Sequence, residues 1–164
     1  MNYHNYNHLL IVASYLLNKF FAIDQDEWIL KLYRKMQVKK KFSGIPCELL
    51  TELRKELLQS HEMYIFIVHN NDGDPLAVHI VVRHGLASIP LVSWRSEEGQ
   101  KLYAPNYILW NIILAMKDLG VQWFDHGGID EENTPNITKF KRGLRGEEYT
   151  LVGEWFGILS TDLL

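Results

Sequence analysis

A chain of 164 residues has the length of one domain, and 47% apolar against 23% charged residues are the proportions of a globular fold, which excludes a disordered or collagen-like protein. A net charge of −3 excludes a general electrostatic attraction to nucleic acid or anionic membrane, and the single cysteine, Cys47, excludes an internal disulfide. One thiol without a signal segment predicts a reducing, cytoplasmic location.

The apolar stretch Leu9–Leu17 is about half the roughly 18 residues needed to span a bilayer, so it reads as a core element and predicts no membrane insertion. His4 and His8 stand four residues apart, but with no further ligands at metal spacing they predict no metal site. Residues 26–37 place Trp28, Ile29, Leu32, Tyr33 and Met36 at helical spacing, with acids first and bases last, as the helix dipole favours. The run Lys39–Lys41 follows as a solvated turn. Pro46 then opens a second amphipathic helix reaching Gln59, with Leu49, Leu50, Leu53, Leu57 and Leu58 as its apolar positions. Cys47 at its start reads as a half-buried structural thiol, because no histidine partner is evident.

The character then changes. Residues 63–69, 76–83 and 86–95 are β-rich runs divided by Asn70–Pro75 and by His84–Gly85, which predicts a three-stranded antiparallel meander. Pro90 marks a bulge or an edge. His69, His79 and His84 fall in these runs and read as ordinary sheet residues. Residues 104–119 carry the strongest helix signal, apolar over much of the circumference and closed by Gly120, so this helix is expected to lie across a sheet face. A short strand at 121–125 ends in His126–Gly127–Gly128, a helix follows near 134–144, and Glu148–Leu159 reads as a closing strand pair or one bulged strand. This order predicts an α+β fold, a mixed and mainly antiparallel sheet flanked by helices, in a single domain over residues 1–164.

The densest group of chemistry-bearing residues is 124–147. Two adjacent glycines, Gly127 and Gly128, let backbone approach a ligand closely or take a positive φ. Asp125 and Asp130, with His126 between them, suit general-base work. Lys141 and Arg142 behind them suit phosphate binding or oxyanion stabilisation. The same spacing also fits a strand-to-loop turn with solvated charges.

The run Phe124–Asp125–His126–Gly127–Gly128–Ile129–Asp130, then Thr134–Pro135, then Phe140–Lys141–Arg142–Gly143, then Gly153–Glu154–Trp155, resembles the C-terminal signature of the FemAB/FemX peptidoglycan aminoacyltransferases. That signature reads Y/F-D-x-G-G-I-D, a Thr/Pro loop, F-K-x-G-F and a later G-E-W. The resemblance covers roughly residues 26–157. It implies a GNAT-like fold and transfer of an acyl or aminoacyl group to an amine. The implied donor is a charged tRNA or an acyl-CoA, without metal, and the implied acceptor is a cell-wall precursor, an amino sugar or an amino acid.

For such an amine acyltransferase, Asp125 or Asp130, helped by His126, is expected to position or deprotonate the amine. Lys141, which matches the F-K-x-G element of the resemblance, is expected to stabilise the oxyanion or a donor phosphate, with Arg142 as its nearest substitute and Glu154 orienting it. Gly127 and Gly128 are expected to let backbone approach the substrate, and Tyr103 and Tyr107 at the start of the long helix to line an acceptor cleft. Two departures stand out. Family enzymes carry two such domains in tandem, and Leu144–Arg145 replace the usual Phe and Gly after Gly143. The stretch Arg95–Lys101, with one glycine and two acids, is a poor anion cradle beside the Gly-rich pyrophosphate turn of acetyl-CoA-dependent GNAT enzymes. Two other readings are therefore carried alongside: an acetyl-CoA-dependent N-acetyltransferase, and a non-catalytic binding module that keeps the GNAT shape. The sequence leaves the oligomeric state open.

Overall fold

The computed structural model describes residues 13–14, 27–42, 44–60 and 62–153. Packing of the Cα trace divides the chain into two compact units, Met1–Gly127 and Gly128–Leu164. The first runs β1 (Ala13–Ser14), α1 (Glu27–Lys40), α2 (Cys47–Gln59), β2 (Met63–His69), β3 (Pro75–His84), β4 (Ala87–Arg95), α3 (Glu97–Lys101), α4 (Ala104–Asp118) and β5 (Trp123–Phe124). The second contains α5 (Pro135–Gly143).

The five strands form one sheet in chain order. β1 to β4 are joined antiparallel and β5 is added parallel to β4, so the sheet is mixed and mainly antiparallel, as the order of elements predicts. The β2–β3 turn is made by Asn70, whose Oδ1 accepts the amides of Asp72 and Asp74 at 3.0 and 2.8 Å. Such a side chain supplies locally the bonds that a turn's backbone lacks. Beside Pro90 the β3/β4 register shifts by one residue, since Ile80 faces Val92 while Val81 faces Pro90. Leu91 is the extra residue, and the bulge expected at the proline is present.

β3 is buried without interruption from Leu76 to Val82, because helices cover both of its faces. On one face Val78, Ile80 and Val82 pack with Met63, Ile67, Val92 and the α1–α2 residues Ile29, Tyr33 and Leu50. On the other, Ala77 and Val81 pack with Val68, Leu76 and the α4 residues Ala104, Ile108, Ile112 and Met116. Each aliphatic side chain so buried contributes about 1.5–3 kcal/mol of transfer free energy.

The long helix lies across a sheet face as expected, buried on one side, with Trp110 on its outer side 61% exposed. Two expectations differ from the structure. A five-residue helix, α3, precedes α4, where the sequence predicts no helix between the meander and the long helix. Residues 146–153 take no strand, and Tyr149, Leu151 and Val152 are exposed. β-rich composition makes a strand only where a ladder partner lies alongside, and among the described residues none pairs with this segment. The rest of Glu148–Leu159, and the Leu9–Leu17 stretch apart from Ala13–Ser14, lie outside the described residues. So do His4 and His8. No helix among the described residues is long and apolar enough to cross a membrane.

Candidate functional site

The feature that organises a site in the first unit is a fork between β4 and β5. Their parallel pairing covers only Ala87–Trp123 and Ser88–Phe124, with the Gln122 and Trp123 amides bonding the Leu86 carbonyl at 2.8 and 3.1 Å and the Asp125 amide bonding the Ser88 carbonyl at 2.9 Å. The chain then turns away. Asp125 Oδ1 accepts the Gly127 amide at 2.7 Å, and Gly127 takes a φ of 73°, a conformation that glycine adopts without strain. The His126 ring meets the Phe124 ring edge-on at 4.9 Å, which seats it on the last residue of the strand. From Ile89 to Arg95 the outer edge of β4 is therefore left without a paired strand among the described residues. An open edge of this kind presents backbone N–H and C=O groups to any extended amide-bearing chain laid along it.

The loop at the far end of β4 is built differently from an anion cradle. The Ser96 amide donates to the Leu76 carbonyl at 3.0 Å, and the Ser96 hydroxyl accepts the Gly99 amide at 2.9 Å as the N-cap of α3. Gly99 is buried so tightly against β3 that a Cβ there would overlap the Leu76 carbonyl oxygen. The glycine serves packing and its amide is already bonded, while Glu97 and Glu98 add negative charge to the same turn. Tyr103, with a left-handed φ of 56°, then starts α4. Tyr103 and Tyr107 stand one turn apart on the outer side of that helix, and Tyr103 is 65% exposed.

In the second unit, Asp130 organises the entry to α5. Its Oδ1 accepts the amides of Glu132 and Asn133 at 3.1 and 2.9 Å, its Oδ2 accepts the Asn133 side-chain amide at 2.9 Å, and its carbonyl accepts the hydroxyls of Thr134 and Thr138, each at 3.0 Å. The hydrogen bonds from Asn133 hold the Asp130 carboxyl below its ordinary range. This carboxylate is occupied in fastening a turn, a poor condition for a general base. Asp130→Ala should speed amide exchange at Asn133 and Thr138 while leaving the β2–β3 amides unchanged. Wild type should show the same loosening in acid. A carboxylate with a depressed folded pKa stabilises above its ordinary value of about 3.9, and that contribution is lost as pH falls through the lowered value.

Lys141 Nζ donates to the Gly128 carbonyl at 2.6 Å, so its ammonium fastens the glycine loop of its own unit. Arg142 bonds Glu148 through Nε at 2.8 Å and pairs with Glu131 as well. The two carboxylates raise the Arg142 pKa, the Glu148 hydrogen bond first. Glu154 lies outside the described residues. Of the expected site residues, the structure therefore brings Asp125, His126 and Gly127 together at the fork. In the second unit Lys141 is joined to Gly128, Asp130 fastens the entry to α5 and Arg142 pairs with Glu131 and Glu148, while Tyr103 and Tyr107 sit on α4 of the first.

One pair escaped sequence reasoning. His79 in the middle of β3 is buried, and its Nδ1 lies 3.0 Å from Ser93 Oγ on β4. The only signal was a polar residue inside each of two apolar strand runs. A small hollow in the core of the α1–α2 face is lined by Ile29, Leu50, Met63, Ile80 and the buried Arg54, a single charged side chain among apolar ones.

A family model described as acetyltransferase (GNAT) domain matches residues 21–142. No curated protein matches the sequence. Among solved structures, a possible acetyltransferase from Clostridium difficile 630 is similar with a TM-score of 0.61 at 15% identity, over 85% of this chain and 95% of that one. An aminoglycoside antibiotic 6'-N-acetyltransferase from Acinetobacter baumannii gives 0.60 at 7% identity, over 85% of this chain and 96% of that one. AAC(6')-Iy, solved with the bisubstrate analogue CoA-S-monomethyl-acetylneamine, gives 0.57 at 12% identity, over 81% and 94%. At these identities the likeness is one of fold.

Proposed function

The chain belongs to the acetyltransferase (GNAT) domain family, and from that premise we propose that it is an N-acyltransferase that moves an acyl group from a CoA thioester to a small amine. We extend this reading to residues 1–164 as one acyltransferase domain. The observation that carries it is the edge of β4 beyond Ser88, which no strand among the described residues pairs, with Asp125 at the crotch of the fork. The pantetheine arm of CoA holds two amides in an extended chain, the chemistry that an unpaired strand edge binds. A fold neighbour binds a CoA-linked amine analogue and another is named for acetylating an aminoglycoside amine, which supports an amine as acceptor.

In this reading the amine nitrogen attacks the thioester carbonyl, the N–C bond forms, and the C–S bond breaks to release the CoA thiolate. The attacking nitrogen must shed a proton. Asp125, whose backbone is fixed by Ser88 and whose carboxylate is turned by Gly127, is the group we assign to receive the amine N–H, with His126 beside it. The oxyanion role expected of Lys141 rests on the run Phe140–Lys141–Arg142–Gly143 alone.

A second reading, aminoacyl transfer from a charged tRNA, is favoured by one observation. The turn before α4 has its glycine amide bonded to Ser96 and carries two acids, which leaves little there to hold a diphosphate. Purified protein given acetyl-CoA and a panel of amino sugars, amino acids and simple diamines decides between the two, with products read by mass spectrometry. Acetylated amine is the expected product. Acyl transfer only when charged tRNA replaces acetyl-CoA would overturn the first reading in favour of the second.

A further inference from the structure

Ser93 is exposed on one side and anchored on the other. The β3/β4 register sets it directly across from His79, and the two side chains meet at 3.0 Å on the face that α4 covers. That helix packs chiefly across β2 and β3, so the α4-side face of β4 at Ser93 is left open to solvent. Beside Ser93 runs the part of the β4 edge that β5 does not pair. A hydroxyl held by a buried ring loses little freedom when it binds a further group.

We propose that Ser93, oriented by His79, is a donor-positioning residue that hydrogen-bonds an amide of the CoA pantetheine arm laid along β4. The proposal rests on the acyl-CoA reading given above. Burial pushes the His79 pKa down to about 4, so the pair is uncharged at neutral pH and suits a neutral ligand group better than a phosphate or an ammonium. A secondary amide is matched to it in either tautomer. If Nδ1 carries the proton, it donates to Ser93 Oγ and the hydroxyl donates outward to an amide carbonyl; if Nδ1 is bare, the hydroxyl donates inward and accepts an amide N–H. Ser88 faces Arg83 and Ser93 faces His79, four steps apart on β3 and so roughly 14 Å along the strand at about 3.4 Å per residue, which lets Ser93 meet the arm and not the reacting carbonyl near Asp125. Its role is to bind and align.

The test compares Ser93→Thr with Ser93→Val. The two replacements match in shape and both suit a strand, so they differ in the hydroxyl alone. Calorimetry with acetyl-CoA should find Ser93→Val binding about five- to tenfold more weakly than Ser93→Thr, the loss of one neutral hydrogen bond. The weakening should appear in the donor KM and leave kcat unchanged. The ¹⁵N ring signals of His79 should also move on adding acetyl-CoA to wild type and Ser93→Thr, and stay still in Ser93→Val. If wild type binds acetyl-CoA and the Val variant binds it within about twofold of the Thr variant, the assignment of Ser93 is overturned and the acyl-CoA reading stands. If wild type binds no acetyl-CoA, the acyl-CoA reading falls and takes the assignment with it.

Discussion

Lowering the pH from 6.5 to about 4 is expected to cost the fold about 3 kcal/mol through His79 alone. The imidazole is buried in the central strand, with Phe66 on one neighbouring strand and Ser93 on the other, and desolvation alone brings its pKa down from 6.5 to about 4. The unfolded chain binds a proton at this position below pH 6.5, and the folded chain does so only near pH 4. In between, the unfolded state holds more protons, so stability is full above 6.5 and declines as the pH falls, by about 1.4 kcal/mol per unit. Urea unfolding at pH 7 and at pH 4.5 measures it. His79→Gln keeps a polar partner for Ser93 but does not titrate, and its stability should decline much less over the same interval. Equal declines in the two proteins would mean that His79 is solvated.

The second large effect belongs to Gly99. Alanine at this position would drive a methyl group into the Leu76 carbonyl, which is backbone in the middle layer and has no rotamer to yield. Gly99→Ala should therefore destabilise by about 3 kcal/mol, the upper end of what overpacking costs. Gly128→Ala is the control. Its Cβ would meet nothing within 4 Å, so the change should stay within about 0.5 kcal/mol. A thermal melt of both variants separates them, and a mild Gly99→Ala would show that α3 moves readily away from β3.

Most of the architecture was legible because its elements carry local signals. Trp28 to Met36, the Asn70 turn, the β-branched residues of β2 and β3, and the apolar face of α4 each specify an element from nearby residues. Pro90 announced the bulge. What could not be read was the pairing that depends on distant residues. α3 is capped locally by Ser96, but Ser96 itself is anchored by the Leu76 carbonyl, twenty residues before it, and no short window contains that bond. The turn that follows β5 is by contrast local, made by Asp125 accepting the Gly127 amide two residues on. For the site, the run Asp125–Asp130 drew notice through its glycines and acids. The local bonds of its two aspartates, Asp125 to the Gly127 amide and Asp130 to the amides of Glu132 and Asn133, are what spacing alone did not state. Ser93 and His79 were invisible as a pair because only the register joins them.

The extra residue at Leu91 sets the phase of everything that follows it in β4. Before it, Ser88 and Pro90 share the α4 face; after it, that face passes to Ser93, while Val92 turns to the α1–α2 core. Removing one residue there would exchange inside for outside along the remaining strand. Val92 and Trp94 would be delivered to the open face, and Ser93 and the charge of Arg95 would be driven toward α1. The bulge thus works as a half-turn in the chain's alternation: upstream of it the α4 side of the strand carries the buried Ser88 and half-buried Pro90, and downstream the same side carries the exposed Ser93 and Arg95.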